Sequence, residues 1–179
     1  MVYIILGKGF EEAEALVPCD LLRRAGVEVR FAGIGGREIV GSHGITICAD
    51  CIAEEEPLQE AEMLVLPGGL KGVASILNCE AVMRALPAVY AKGNYVAAIC
   101  AAPTILAKLG ITDGKWATCY PGMEDQMGNA KMSQLPASRD GKVITGRSAG
   151  TAFDFALELI AALCGGDMCK KVAREIVFD

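Results

Sequence analysis

One short segment near the middle of the chain, residues 94–103, constrains the fold strongly. The apolar run Tyr95–Ile99 has the length and composition of a buried strand, and Ile105–Leu109 has the apolar spacing of a helix. Between them lie Cys100, small residues and Pro103. A strand that passes directly into a helix is the geometry of a nucleophile elbow, which exposes one side chain at the carboxyl end of a sheet. The segment predicts an α/β fold with Cys100 at such a turn.

The first third of the chain predicts a mainly parallel sheet. Met1–Leu6 and Val27–Ala32 are strand-like runs that flank a helical pattern, and Met63–Leu66 is a further buried strand. Glu38–Val40 and Ile45–Cys48 are separated by a glycine-rich turn, which predicts a hairpin inserted into the parallel pattern.

The rest of the chain alternates in the same way, without an internal repeat or a linker. We therefore expect one domain over residues 1–179. The segments after the inserted hairpin are interpreted as follows: a helix over Glu80–Ala91, an irregular region over Asp113–Asp140 that contains a short strand Trp116–Cys119, a strand over Val143–Thr145, and helices over Ala152–Leu163 and Asp167–Ile176.

Composition excludes several classes of partner. A formal net charge of −5 leaves no basic footprint for nucleic acid or an anionic membrane. No apolar run approaches the ~20 residues of a membrane span, and the first residues have no basic stretch of the kind that opens a signal peptide. We expect a cytoplasmic protein whose eight cysteines are reduced thiols.

Three features are expected at the carboxyl ends of the strands, where ligands of open α/β sheets bind. The first is Cys100, whose pKa we expect to fall below the free value of about 8.5, because the following helix directs N–H groups and its positive end at the sulfur. The second is Gly68 and Gly69, whose N–H groups would form an oxyanion hole with that of Ala101. The third is the acidic cluster of Glu11, Glu12 and Glu14 after the first strand, in which a carboxyl near the thiol could donate a hydrogen bond or act as the general acid or base.

Each feature has an ordinary structural interpretation. A cysteine at a strand end packs as a small apolar residue in many proteins, and two glycines after a strand form a simple turn. Glu11 and Glu12 are favourable in a first helical turn because of the helix dipole. The functional interpretation depends on all three features meeting at one edge of the sheet.

Metal and dinucleotide sites are weakly indicated. Cys48 and Cys51 have the spacing of a zinc or dithiol pair, but no second pair with the usual spacing follows. The single histidine, His43, lies in a predicted turn, where solvation is its ordinary role. Gly7 and Gly9 do not complete a dinucleotide fingerprint. We expect no metal and no cofactor.

Four motifs together resemble the ThiJ/PfpI superfamily, and within it the branch of the Parkinson-disease-associated deglycase. They are Lys8–Glu14, Leu66–Gly69, Ala98–Pro103 and Gly146–Thr151. The resemblance runs from the first strand to the last residues. It implies a flavodoxin-like three-layer sandwich, a homodimer and an oxidation-sensitive cysteine at the elbow.

The resemblance also implies roles for individual residues. Cys100 would be the reactive cysteine, with Glu14 as the protonated carboxyl beside it and backbone N–H groups from Gly68, Gly69 and Ala101. Members of the family act as cofactor-free glyoxalases on methylglyoxal, as deglycases on glycated groups, or as redox-responsive chaperones. A small aldehyde or glycated substrate is therefore the expected ligand.

This chain departs from the family pattern at three positions. Ala101 stands where the protease-like branch has a histidine, which argues against a Cys-His peptidase. Tyr120 stands where the deglycase branch often has a histidine, and His43 stands where an arginine reaches across the dimer. Both are expected to line the pocket.

Two functions therefore remain open at the level of sequence, with a fold that has lost activity as a third. One is an enzyme in which the Cys100 thiolate attacks an α-oxoaldehyde. The other is a stress sensor or chaperone with little turnover, in which Cys100 is oxidised to a sulfinate.

Overall fold

A computed structural model describes residues 1–178, and its core is one seven-stranded sheet. The strands are β1 (Val2–Leu6), β2 (Val29–Gly33), β3 (Glu38–Val40), β4 (Thr46–Cys48), β5 (Cys51–Ile52), β6 (Met63–Leu66), β7 (Tyr95–Ile99), β8 (Trp116–Ala117), β9 (Lys131–Met132), β10 (Ala137–Asp140) and β11 (Val143–Gly146). The helices are α1 (Glu12–Arg24), α2 (Leu70–Leu77), α3 (Glu80–Ala91), α4 (Pro103–Lys108), α5 (Ala152–Cys164) and α6 (Gly166–Glu175).

The sheet is mainly parallel, as the sequence predicts. Its strand order is β10-β11-β7-β6-β1-β2-β5, and all neighbouring strands are parallel except β10 and β11. Helices connect the parallel strands, so that the chain can return to the same end of the sheet before each new strand. The predicted α/β fold of the flavodoxin-like type is confirmed.

Alternating side chains of the strands fill two apolar cores, one on each face of the sheet. In β1, Val2, Ile4 and Leu6 belong to the core that α1, α5 and α6 cover, whereas Tyr3 and Ile5 belong to the core under α2, α3 and α4. Both faces are buried, which explains why these strands are continuous apolar runs in the sequence. The result is a three-layer arrangement of helices, sheet and helices.

Two segments lie outside the parallel pattern, and the sequence predicts only the first of them. β3 and β4 pair antiparallel, so the predicted inserted hairpin is present. The prediction of an irregular region up to Asp140 was wrong for Ala137–Asp140, which forms the edge strand β10. Only one of its four residues is buried, which removes the apolar alternation that reveals a strand.

The sheet order brings three strand ends together. β7, β6 and β1 are neighbours, and all three are parallel. The loops that follow Leu6, Leu66 and Ile99 therefore leave the sheet at one edge, where α1, α2 and the Cys100 turn begin.

None of the helices within residues 1–178 is by itself long and apolar enough to cross a membrane. α2 and α3 reach the necessary length and composition only as a pair, and this pair is bent by 84°.

Candidate active site around Cys100

The backbone of Cys100 lies in the left-handed region, with φ of 67°. A residue with a Cβ in this region is strained by about 1–3 kcal/mol and needs support from its surroundings. That support comes from two sides, because the Cys100 N–H donates to the Gly146 carbonyl at 3.0 Å and the Cys100 carbonyl accepts from the Tyr120 N–H at 2.7 Å. These contacts hold the side chain at the end of β7, in the predicted elbow geometry.

Glu14 lies in the first turn of α1 and is completely buried. Its Oε2 accepts a hydrogen bond of 2.8 Å from the Gly68 N–H, and its Oε1 has no hydrogen-bond partner among the described residues. Burial raises the pKa of Glu14 to about 7, although the Gly68 N–H and the Cys100 thiol oppose this shift. Near neutral pH the carboxyl is therefore poised to hold or release a proton.

The Gly68 N–H differs in role from the sequence-based expectation. It was expected to face the reaction centre as part of an oxyanion hole, but it is already used by Glu14. Gly68 has a second role, because a Cβ at this position would lie 2.6 Å from Glu14 Oε2 and 2.7 Å from Cys100 Cβ. A side chain here would separate the two groups.

The thiol of Cys100 is flanked by Glu14 and by two backbone N–H groups. Burial, followed by the charge of the neighbouring Glu14 carboxyl, raises the pKa of Cys100 to about 12, while the N–H groups of Ala101 and Gly69 act to lower it. The predicted fall of this pKa was wrong for a site with an ionised Glu14, because burial and the neighbouring charge outweigh the N–H groups of Ala101 and Gly69.

Cys100 and Glu14 are best described as one titrating pair. The first proton leaves the pair near pH 7 and the second near pH 12. Between these values the pair carries one negative charge and one proton. When the proton lies on Glu14, the sulfur is a thiolate and the repulsion from the carboxylate is absent.

The sulfur opens into a cavity of about 570 Å³. Its lining residues are Glu11, Gly69, Leu70, Cys100, Ala101, Tyr120, Pro121, Gly122, Met123 and Gln126. Tyr120 is therefore a lining residue, as expected, and it is half exposed. Leu70, Met123 and Gln126 were missed by sequence reasoning, because residues 121–127 have no periodic pattern and no motif of their own.

His43 does not line this cavity. Its Nδ1 lies 3.1 Å from Glu12 Oε2 and 3.4 Å from Glu11 Oε1, and both carboxylates raise the pKa of the imidazole, Glu12 most through its hydrogen bond. Within one chain the hairpin turn directs the ring onto the start of α1, so the expectation that His43 lines a pocket across the dimer stays a prediction.

Glu12 anchors this neighbouring cluster. Burial acts to raise its pKa, but hydrogen bonds from its own N–H, from His43 and from Ser42 lower the pKa to about 2. Donor atoms of Glu11, Glu12 and His43 lie within 4.8 Å of one another, so they are the described residues that could hold a metal ion. The Ser42 hydroxyl lies 3.0 Å from oxygens of both carboxylates.

A sequence model of the DJ-1/PfpI family matches residues 1–162. The chain belongs to this family. The Parkinson disease protein 7 homolog of Danio rerio is 37% identical over 179 residues, which covers 97% of this chain and 95% of that protein. A deglycase of Pyrococcus abyssi is 34% identical over 164 residues, which covers 90% of this chain and 98% of that protein.

The fold agrees with solved structures of DJ-1 proteins. Oxidized DJ-1 of Toxoplasma gondii matches with a TM-score of 0.94 and 29% identity, over 99% of this chain and 97% of that chain. Membership of the DJ-1/PfpI family is thus supported by both sequence and fold.

The other cysteines lie outside the candidate site, and all eight thiols are free. Cys119 is buried next to Tyr120 in a small separate apolar cluster. Cys48 is exposed and Cys51 is partly buried, at the ends of β4 and β5. Cys48 and Cys51 are not members of the donor cluster that could hold a metal ion.

Proposed function

We propose that this protein is a cysteine-dependent, cofactor-free enzyme of the glyoxalase or deglycase type. Its substrates would be methylglyoxal or groups glycated by such aldehydes. One observation supports the proposal most strongly. Cys100, with φ of 67°, lies at the edge of an open cavity beside a buried carboxyl of raised pKa and two backbone N–H groups. The name of the Pyrococcus abyssi relative, a deglycase, supports the same class of reaction.

The reaction would begin from the form of the pair in which Glu14 is protonated and Cys100 is a thiolate. The sulfur attacks the aldehyde carbon of methylglyoxal, and the new C–S bond leaves a negative oxygen that accepts from the N–H groups of Gly69 and Ala101. Glu14 donates its proton to that oxygen, which gives a neutral hemithioacetal. These steps need no metal and no redox partner.

The second half of the reaction isomerises the adduct and then adds one water. The Glu14 carboxylate removes the proton from C1 and delivers it to C2, and the hydroxyl proton on O1 passes to O2, so that the adduct becomes a lactate thioester on Cys100. Water then cleaves the thioester, which releases lactate and restores the thiol. The sum is methylglyoxal plus water giving lactate. For a glycated amine, the thiolate would form the same adduct while the amine leaves with a proton.

Tyr120 replaces the second base that a histidine would supply. Its hydroxyl could orient a substrate carbonyl by hydrogen bonding, but it lacks the basic ring nitrogen with which an imidazole accepts a proton. We therefore expect Glu14 to carry all the proton transfers, and turnover to be slow.

The direct test is lactate formation from methylglyoxal by the parent, by Cys100→Ser and by a matched control, Cys48→Ser. Cys48 is an exposed thiol away from the cavity. Cys100→Ser should lose the activity, and Cys48→Ser should retain it. Equal turnover by Cys100→Ser and the parent would contradict the proposal.

A second candidate function is a redox sensor or redox-responsive chaperone with little turnover. It is favoured by the unpartnered, buried Oε1 of Glu14 next to a sulfur that also has two N–H groups directed at it. A sulfinate on Cys100 has two oxygens that could accept from these donors.

We further propose that the protein works as a homodimer in the cytoplasm. The resemblance to the family implies the homodimer, and the expectation of eight reduced thiols fits the cytoplasm. Sedimentation equilibrium should then give about twice the chain mass of 18.8 kDa, and a monomer at micromolar concentration would argue against the dimer.

A further inference from the structure

The cavity beside Cys100 is larger than a three-carbon aldehyde requires. Its volume of about 570 Å³ lies within the range of roughly 300–1,000 Å³ that is typical of sites for much larger ligands. A methylglyoxal molecule bound at the sulfur would leave most of this space to solvent. The site therefore has room for a substrate with a large substituent on the ketone carbon.

Two apolar side chains of the cavity wall are unusually exposed. Leu70 is 74% exposed and Tyr120 is 49% exposed. Exposed apolar surface that faces a cavity is a common mark of a ligand site. Pro121 and Met123 continue the same wall, so an apolar group that filled the cavity would remove several side chains from water.

The backbones of both exposed residues, Leu70 and Tyr120, lie next to backbone groups that contact Cys100 or belong to it. Leu70 directly follows Gly69, whose N–H is directed at the sulfur. The Tyr120 N–H donates to the carbonyl of Cys100 at 2.7 Å. A substituent that contacts Leu70 and Tyr120 therefore lies next to the carbon that the thiolate attacks.

We propose that the preferred substrates are α-oxoaldehydes with a bulky apolar or aromatic substituent, which lies against Leu70 and Tyr120. This inference rests on the proposed aldehyde chemistry of Cys100 and narrows it to a substrate class.

The test compares kcat/KM for phenylglyoxal and methylglyoxal. Initial rates are measured, with Cys100→Ser as the blank for reaction of the aldehydes with arginine side chains. Phenylglyoxal should exceed methylglyoxal by about tenfold or more, as expected for burial of one ring.

The intrinsic reactivity of each aldehyde is the same for the parent and for every variant. It therefore cancels when the ratio of kcat/KM for phenylglyoxal to that for methylglyoxal is compared between proteins. Leu70→Ser and Tyr120→Ser should each lower the ratio of phenylglyoxal to methylglyoxal by about fivefold. Leu135→Ser is the matched control, because Leu135 is 61% exposed but lies outside the cavity. An unchanged ratio in Leu70→Ser and Tyr120→Ser would overturn the inference while leaving the aldehyde chemistry intact.

A binding measurement separates the two proposals when no aldehyde is turned over. Saturation-transfer NMR with acetophenone and acetone on Cys100→Ser reports the preference of the cavity without chemistry. A signal for acetophenone that Leu70→Ser abolishes, together with absent turnover in the parent, supports the cavity preference and refutes the proposed enzyme. Equal signals in Cys100→Ser and in the double variant that also carries Leu70→Ser refute the preference.

Discussion

Glu14 and Cys100 meet across Gly68, the residue whose missing side chain leaves room for both. The Gly68 N–H donates to one oxygen of the carboxyl, and the other oxygen is buried beside the Cys100 thiol without a hydrogen-bond partner. Neither group has its ordinary pKa, because both are buried and because the charge of Glu14 acts on the Cys100 thiol. The candidate chemistry follows from this arrangement and not from the cysteine alone.

Gly68→Ala should disrupt this arrangement. The new Cβ would lie 2.6 Å from Glu14 Oε2 and 2.7 Å from Cys100 Cβ, so the carboxyl or the elbow must shift. We expect a loss of about 1–3 kcal/mol in the free energy of unfolding and at least about a tenfold fall in aldehyde consumption. Gly36→Ala is the control, because a Cβ there meets no atom within 4 Å. Wild-type activity of Gly68→Ala would argue against a close carboxyl and thiol.

Glu14→Gln should stabilise the protein at high pH. The pKa of Glu14 is raised from 4.5 to about 7 in the fold, so the unfolded chain ionises first as the pH rises. Stability is therefore highest below pH 4.5 and falls between pH 4.5 and 7, by roughly 3 kcal/mol. A glutamine at this position does not ionise, so the stability of Glu14→Gln should not fall over this pH range. Urea unfolding at pH 4.5 and pH 8 should show that the variant gains relative to the parent only at pH 8.

Glu12 should contribute stability in the opposite sense. Its pKa is lowered from 4.5 to about 2, so its contribution is complete above pH 4.5 and is lost as the pH falls toward 2. Glu12→Gln should be destabilised at pH 6 by about 1.5–3 kcal/mol, the range for hydrogen bonds to a charged group. It should also lose less stability than the parent between pH 6 and pH 3. Glu28→Gln, at a mostly exposed carboxyl, should behave like the parent.

Mild peroxide should oxidise Cys100 to the sulfinate before the other cysteines. The N–H groups of Gly69 and Ala101 and the proton of Glu14 can all donate to sulfinate oxygens. Cys48 and Cys164 are more exposed and serve as internal controls. Peptide mass spectrometry should find two added oxygens on Cys100 first, and equal rates at the exposed thiols would count against a sensor.

The buried elements could be predicted from the sequence, because their signals are local. The run Met63–Leu66 and the helix Glu80–Ala91 have the predicted bounds, since continuous apolar runs and helical periodicity survive in any context. α2 was missed because it is short and contains Gly72, and β10 was missed because it is a polar edge strand. Whether such segments form a helix or a strand depends on the neighbouring elements that pack against them or pair with them.

The site was predictable in its members but less so in its electrostatics. Strand ends and turn residues pointed to Cys100 and Gly69, whose positions follow from the order of the sheet, and the family resemblance pointed to Glu14. The pKa of Cys100, the use of the Gly68 N–H and the direction of His43 depend on burial and on contacts between distant segments. Those contacts have no local signature in the sequence.

The most direct test of the account is the pH dependence of Cys100 alkylation in the parent and in Glu14→Gln. If the two groups share one proton, the parent rate rises with an inflection near pH 7 and then stays nearly level to pH 10, because the second proton leaves only near pH 12. Glu14→Gln should lack the inflection near pH 7 and show a single rise. Identical curves for both proteins, each with one inflection near the ordinary thiol value of about 8.5, would contradict the paired site.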